Sequence, residues 1–264
     1  MLKSKQMKRH QFQKILTAIL LISMVSVLNS CKDDDDEPAP TPVNNDTGTP
    51  CPGMESITFE GQVYHTILLG EQCWLRENLN IGTMLHTQDT LKNNDTIEKY
   101  CYENDPANCE KYGGMYTWHE MMQYMDDTVN QGICPEGWHI PTDSDWSILE
   151  GNIDSLYAIG DTIWDTTGWR GYDAGAKMRH AGLEEWFDPN TEATNSSGFT
   201  ALPAGIRYYD DKTFDRIKGT SYMWSSSRSM ETFAWYRLLS YTRKDVRRNT
   251  TETMNAFSVR CVKN

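Results

Sequence analysis

Positive charge is scarce in this chain. Its 264 residues carry 25 Lys and Arg against 37 Asp and Glu, a formal net charge of −12. Five of the basic residues (Lys3, Lys5, Lys8, Arg9, Lys14) fall in the first thirty positions, where there is no acid. The other 234 residues then hold 20 basic and 37 acidic groups, a net of −17. A nucleic-acid partner needs a basic patch, so that class is excluded. Long apolar runs are scarce too. Mean hydropathy is −0.64, which excludes a polytopic membrane protein. C-x-x-C pairs are missing, as are histidines at ligand spacing, so neither a zinc site nor any other metal or cofactor is expected. Aromatics, by contrast, abound. Nine Trp, thirteen Tyr and seven Phe exclude a disordered chain and point to one soluble domain behind an N-terminal address.

The address is read from residues 1–50. Met1 to Lys14 is a basic leader, and Ile15 to Leu28 is an apolar stretch of fourteen residues. A membrane-spanning helix wants about 20, so this length fits a signal peptide, assigned to residues 1–30. It ends in Leu28-Asn29-Ser30-Cys31, which resembles the lipobox of bacterial lipoproteins and makes Cys31 the expected lipidation site. Lys32-Asp33-Asp34-Asp35-Asp36-Glu37 follows and resembles the surface-export signal of Bacteroidetes lipoproteins; the same run also serves as a solvated acidic spacer. Pro38 to Pro50 is rich in Pro, Thr and Asn, so residues 31–50 read as a tether. The expected location is the outer membrane, lipid-anchored and facing the cell exterior, with the membrane as one partner.

Setting Cys31 aside leaves Cys51, Cys73, Cys101, Cys109, Cys134 and Cys261. An even number in an exported chain implies disulfides, and fifteen connectivities are open to six cysteines. Proximity in sequence suggests Cys51–Cys73, Cys101–Cys109 and Cys134–Cys261.

Local signals place the elements of the 51–264 domain. Ile57 to Leu69 is a hairpin pattern around Glu60-Gly61, and Asp89 to Asp105 reads as a loop. Tyr116 to Tyr124 has helical spacing. A second helix starts at Thr142-Asp143-Ser144-Asp145, where Thr142 caps, and Gly151 is its expected stop. From Gly198 onward come short β-prone runs: Phe199 to Leu202, Gly205 to Tyr209, Ser221 to Trp224, Ala234 to Leu239 and Ala256 to Val262. Helices early and strands late make an α+β domain.

Seven stretches in order carry a family resemblance. They are GQVYHTILLGEQCWLRENL (61–79), YGGMYTW (112–118), GICPEGWHIPTDSDWSIL (132–149), GWRGYDAGAKMR (168–179), NSSGFTALPAGIR (195–207), MWSSS (223–227) and AFSVRCVK (256–263). Together they closely resemble the Fibrobacter succinogenes major paralogous domain of secreted and lipid-anchored proteins, over about 57–263. The layout of the C-terminal half is similar to the sulfatase-modifying domains. The resemblance therefore implies a C-type lectin-like fold, with two short helices, a small twisted antiparallel sheet and long disulfide-clipped loops. Such a fold joins its two ends, in keeping with a bridge from a mid-chain cysteine to Cys261. The family has no settled activity, so the name implies no reaction.

No catalytic constellation emerges. The sulfatase-modifying oxidase needs two late cysteines, and only Cys261 follows Cys134. Asp188-Pro189-Asn190 approaches the calcium triplets of lectins, but no Trp-Asn-Asp follows, so it reads as a turn. His119 and Glu120 are adjacent and point apart on a helix; His65, His139 and His180 form no metal face. Ser225-Ser226-Ser227 reads as strand, and Arg237, Arg243, Arg247, Arg248 and Arg260 as partners of acids. Trp74, Trp118, Trp138, Trp146, Trp224 and Trp235 sit among apolar residues and are assigned to the core. Trp164, Trp169 and Trp186 lie in the polar 152–195 region and are the candidates for stacking a sugar ring. Asp followed by Ser or Thr and an aliphatic residue or Thr recurs, and resembles the acceptor for O-glycosylation of exported Bacteroidetes proteins. The hydroxyls concerned are Thr90, Thr96, Thr128, Ser155, Thr162 and Thr166.

The expected function is a non-enzymatic surface binding module for a glycan or a partner protein. The alternatives are a polysaccharide-acting hydrolase, for which Asp143, Asp145, Glu184 and Glu185 are the available carboxylates, or a structural subunit of a surface assembly.

Overall fold

The computed structural model describes residues 48–126 and 128–264. The expected leader, Cys31 with its expected lipidation, and most of the expected tether lie outside the described residues. Within them, no helix is long and apolar enough to cross a membrane.

The first hairpin forms where its alternation predicts. Strand Ser56–Phe59 pairs antiparallel with Gln62–Leu69, in the register Phe59 with Gln62 and Ser56 with His65. Glu60 and Gly61 both take positive φ, 49° and 77°, the left-handed pair that fits a two-residue turn to strand twist. Gln72–Leu75 adds the third strand. The C-terminal strand Val262–Lys263 lies beside it and pairs in turn with Trp138–His139, so the two ends of the domain share one five-stranded sheet.

Two further antiparallel sheets complete the β-structure, with one short parallel pair. The long strands Thr220–Met230 and Phe233–Ser240 form a hairpin extended by Val246–Glu252 and Gly168–Arg170. Phe214–Asp215, Ile206–Arg207, Ala256–Phe257 and Tyr116–Thr117 make the other sheet. Thr83–Leu85 runs parallel to Glu98–Tyr100. Around these, among the described residues, sit four α-helices, Pro106–Tyr112, Trp118–Met121, Asp143–Ile153 and Ala174–Met178. The protein is thus a mixed α and β fold with antiparallel sheets, short helices and three disulfides.

Several expectations need correction. Four helices stand where two were expected, because the added pair, of seven and five residues, is too short for a periodic signal. The Tyr116–Tyr124 helix shrinks to Trp118–Met121, since Gln123 and Tyr124 turn left-handed at φ 52° and 58°. The next helix does not stop at Gly151 but runs to Ile153. Gly151 serves close approach instead: a Cβ there would fall 2.7 Å from the Ile159 backbone. Residues 89–105 are not all loop, because Glu98–Tyr100 is a strand buried at every position. Phe199 to Leu202 forms a single bridge, Ala201 to Arg179, rather than a strand.

Tryptophan fills the core. Trp74 meets Trp146 at 4.9 Å between ring centroids, and Trp224 stacks on Phe257 at 4.3 Å. A buried indole N–H needs an acceptor, and backbone carbonyls supply it to three of these rings. Trp118 donates to Ser225 O (3.1 Å), Trp146 to Trp224 O (3.1 Å) and Trp224 to Tyr116 O (2.8 Å). Cys51–Cys73 fastens the first hairpin, Cys101–Cys109 clips the turn before Pro106–Tyr112, and Cys134–Cys261 ties the last strand to the loop before Trp138. These are the pairs that sequence proximity suggests.

Thr142 caps helix Asp143–Ile153 in a full capping box with Asp145. His139 extends that box: its Nε2 lies 3.2 Å from Asp145 Oδ2 and its Nδ1 2.6 Å from Asn264 Oδ1. Burial pushes the His139 pKa down, but the bonds to Asp145 and Asn264 and the Asp145 charge outweigh it, and the net shift is upward. A histidine raised in the folded state contributes stability that is fully present below its unfolded pKa of about 6.5 and lost as pH rises through the folded value. Unfolding midpoints measured from about pH 5.5 to 8.5 should therefore decline with pH through this contribution, and His139→Gln should flatten the decline. An unchanged profile would remove His139 as the source.

Candidate functional site

The three tryptophans proposed for sugar stacking do not form a platform. Trp164 and Trp186 are buried, at 2% and 1% exposure. Trp164 donates to Ala158 O (2.9 Å) beneath the Arg170 guanidinium; Trp186 donates to Ala201 O (3.2 Å) beneath Arg179. Trp169 is half-buried, packs on the core and lies under Arg243. Backbone carbonyls of Ala158 and Ala201 and the guanidiniums of Arg170 and Arg179 seat the two buried indoles.

A polar concavity lies elsewhere. It has a volume of about 620 Å³, between strand Gln62–Leu69, the Arg76–Asn80 segment, helix Pro106–Tyr112 and the His180–Glu185 loop. Asp105 caps that helix and Pro106 occupies its first turn, which fixes Lys111 and Tyr112 at the far end. Lys111 Nζ sits 2.8 Å from a Glu185 carboxylate oxygen, to which the Tyr112 hydroxyl also donates at 3.4 Å. The Glu185 bond holds the Lys111 ammonium above its ordinary pKa, and burial raises Tyr112. On the opposite wall Glu77 takes the His65 backbone N–H and faces its ring Nδ1, each at 2.8 Å.

Amides and a guanidinium line the rest. Gln62 Nε2 donates to Asn80 O (2.7 Å) and Asn78 Nδ2 to Tyr112 O (2.8 Å). Arg260 is fully buried and donates to Asn78 Oδ1 (2.8 Å) and to the carbonyls of Phe199 and Thr200. All three acceptors are neutral, and burial brings its pKa down to about 9. His180 has a buried Nδ1 without a partner, and burial lowers its pKa. The lining is thus dense in donors and acceptors, with each carboxylate of the Glu77 and Glu185 pairs already facing a basic side chain. Such a surface is suited to hydrogen-bonding a polar ligand in several directions at once.

The sequence profile of the Fibrobacter succinogenes major domain matches residues 67–263. The chain belongs to that family. No curated protein and no solved structure matches it. The stretch matched to the major domain supplies most of the cleft, while Gln62 to His65 come from just before it.

The remaining candidates in this major domain resolve as follows. Asn190, of Asp188-Pro189-Asn190, has its amide saturated: Oδ1 accepts from Arg179 Nε (3.0 Å), and Nδ2 donates to the carbonyls of His180 and Gly182. Among the described residues no group of three or more His, Cys, Asp or Glu is arranged to hold a metal ion. His119 meets Thr253 Oγ1 at 3.1 Å, whereas Glu120 points into the core and accepts from Glu98 N and Tyr124 Oη, both at 2.9 Å. Burial raises the Glu120 pKa. Asp145 belongs to the capping box, Asp143 pairs with Arg237 and Arg248, and Glu184 is exposed. Ser225 and Ser226 are buried in their strand, and Ser227 accepts from Asp143 N (3.0 Å). Arg260 departs from the expected pairing with acids. Lys111, Asn78 and Asn80 were missed as site residues, because nothing in YGG or RENLN distinguishes a cleft wall from ordinary surface.

Proposed function

We propose that this chain is a non-enzymatic, lipid-anchored surface protein whose cleft binds a glycan. The observation that carries the reading is the cleft itself. Amide, carboxylate, ammonium and phenol groups converge there from four separate segments, as recognition of a polyhydroxylated ligand demands. A lectin-like fold is part of this reading; the shared sheet of the two ends and the Cys134–Cys261 bridge support it. We also read two or three of the six Asp-Ser/Thr hydroxyls as O-glycan acceptors. Thr90, Thr96, Thr128, Ser155, Thr162 and Thr166 are all exposed.

The detergent-purified full chain should retain a subset of glycans on an array. Lys111→Ala and Glu185→Ala should each weaken that retention about tenfold, the expected loss of a hydrogen bond to a charged group. Retention untouched by both changes would place the site elsewhere, and no retention at all would end the glycan reading. For the anchor, Cys31→Ala should move the protein from the membrane fraction to the soluble fraction of the cell. Acyl chains contribute about 0.8 kcal/mol per buried CH₂, so their loss removes stable attachment. Full membrane retention in the variant would overturn lipidation at Cys31. Protease treatment of intact cells separates an outward-facing domain, which is cut, from an inward-facing one, which survives.

A further inference from the structure

A second, smaller pocket of about 320 Å³ opens on the side of the domain formed by strands Glu98–Tyr100, Tyr116–Thr117 and Ile206–Arg207. That volume lies at the lower end of ligand sites, enough for one ring. Its walls are unlike those of the polar cleft. Tyr100, Tyr124, Tyr209 and the His119 ring face it, together with Leu91 and Met254. Two cations line it, Arg207 and Lys212, and no acid does. On a chain of net −12 that is a local reversal of sign.

The cations are held in place. Arg207 is 3% exposed, and its guanidinium carbon lies 4.0 Å from the Tyr100 ring centroid. Its Nε donates to Thr87 Oγ1 (3.1 Å) and its Nη2 to Thr87 O (2.5 Å). Nη1 makes no hydrogen bond among the described residues, yet it is not sealed from solvent. The Thr87 hydroxyl in turn donates to Lys212 O (2.5 Å), and Lys212 Nζ donates to Gln88 O (2.6 Å). One threonine therefore positions both residues. Nearby acids are engaged or outside the lining: Asp211 acts on Arg207 without lining the pocket, Glu120 accepts from the Tyr124 hydroxyl and from Glu98 N, and Glu252 pairs with the Tyr209 hydroxyl. Burial pulls the Arg207 pKa down, a penalty that a bound anion offsets.

We propose that this pocket binds a carboxylate carried on a single ring, with Arg207 Nη1 and Lys212 on the carboxylate and the tyrosines against the ring. A uronate sugar and an aromatic acid share that chemistry. The site is separate from the polar cleft and stands whether or not the cleft binds glycan.

The test is equilibrium titration of the detergent-purified full chain with glucuronate, 4-hydroxybenzoate and glucose. At least one acid should bind about tenfold or more tightly than glucose, since the carboxylate adds charge-assisted hydrogen bonds. Glucuronate binding alone identifies a sugar source, and hydroxybenzoate alone an aromatic one; either supports the site. Lys212→Gln and Tyr209→Ala, both at the accessible rim, should each weaken the acid about tenfold, while Lys111→Ala in the polar cleft leaves it unchanged. Glucose binding as tightly as the acids, no binding of either acid, or acid affinity indifferent to Lys212→Gln and Tyr209→Ala would overturn the proposal.

Discussion

Glu150→Gln should lower the unfolding free energy by about 3–5 kcal/mol, the range for breaking one partner out of a buried charge network. Glu150 lies on helix Asp143–Ile153 with no exposed side-chain surface. One carboxylate oxygen accepts from Arg170 Nη2 at 2.5 Å and the other from Arg237 Nε at 2.7 Å. Asp143, two helical turns back at the start of the helix, binds Arg237 Nη1 (2.7 Å) and Arg248 Nη2 (2.6 Å). Three guanidiniums thus share two carboxylates. Burial already brings the Arg170 pKa down to about 10, with Glu150 the main charge holding it up, and Arg170 Nη1 has no partner. Glutamine keeps the shape but removes the charge and presents an NH₂ to one of two buried cations. Urea unfolding should show a lower midpoint at unchanged slope, the signature of altered stability rather than altered compactness. A loss below about 1 kcal/mol would mean that the network is much better hydrated than its burial indicates.

That network also marks where the sequence stops being readable. The Thr142 cap is local, so its four-residue signature can be seen without a structure. The arginines could be assigned to acids in general, because an exported acidic domain offers many. Which acid cannot be read: Arg237 and Glu150 are 87 positions apart, and their meeting depends on the long hairpin packing against the helix. Val246–Glu252 (VRRNTTE) escaped notice as a strand because it holds a single apolar residue, Val246, and so shows no apolar–polar alternation. The first hairpin was legible because its turn chemistry and its apolar face both lie within Ser56–Leu69.

The functional residues failed differently. Trp164 and Trp186 were sugar-stacking candidates because their neighbours are polar, with core or loop anchoring as the other reading, and composition reports which residues are near in sequence, not which groups they face. Arg170 and Arg179 lie over those two rings from short-range neighbours, and both arginines are themselves buried. An arginine in this fold more often organises carbonyls than meets solvent. Arg179 gathers Asn190, Thr191 and Arg243; Arg260 gathers Asn78, Phe199 and Thr200. The cleft that results joins one strand and one short helix to the 76–80 and 180–185 segments, whose conformations depend on such long-range forks and leave no periodic trace.

Removing the Cys134–Cys261 bridge should have the other large effect. It spans 127 positions, against eight for Cys101–Cys109. In the chain-entropy treatment the longer closure contributes about 5 kcal/mol and the shorter about 2.5. The Cys134→Ala/Cys261→Ala double variant should therefore melt well below Cys101→Ala/Cys109→Ala, by denaturant titration of each under non-reducing conditions. Equal losses would mean that the denatured chain already holds its two ends together. The loss should also reach the cleft. Cys261 directly follows Arg260, and Val262 is paired on both sides, to Trp74 and to His139. Without the bridge the last strand keeps only backbone bonds such as Leu75 N to Cys261 O and Leu79 N to Val259 O, together with its buried side chains, and Arg260 lies between them. Its fork holds Asn78 and the Phe199 and Thr200 carbonyls at the cleft wall. Glycan retention should thus fall in the Cys134/Cys261 variant even at temperatures where circular dichroism finds it folded. Retention that persists up to the unfolding transition would show that the cleft does not depend on the fixed position of Arg260.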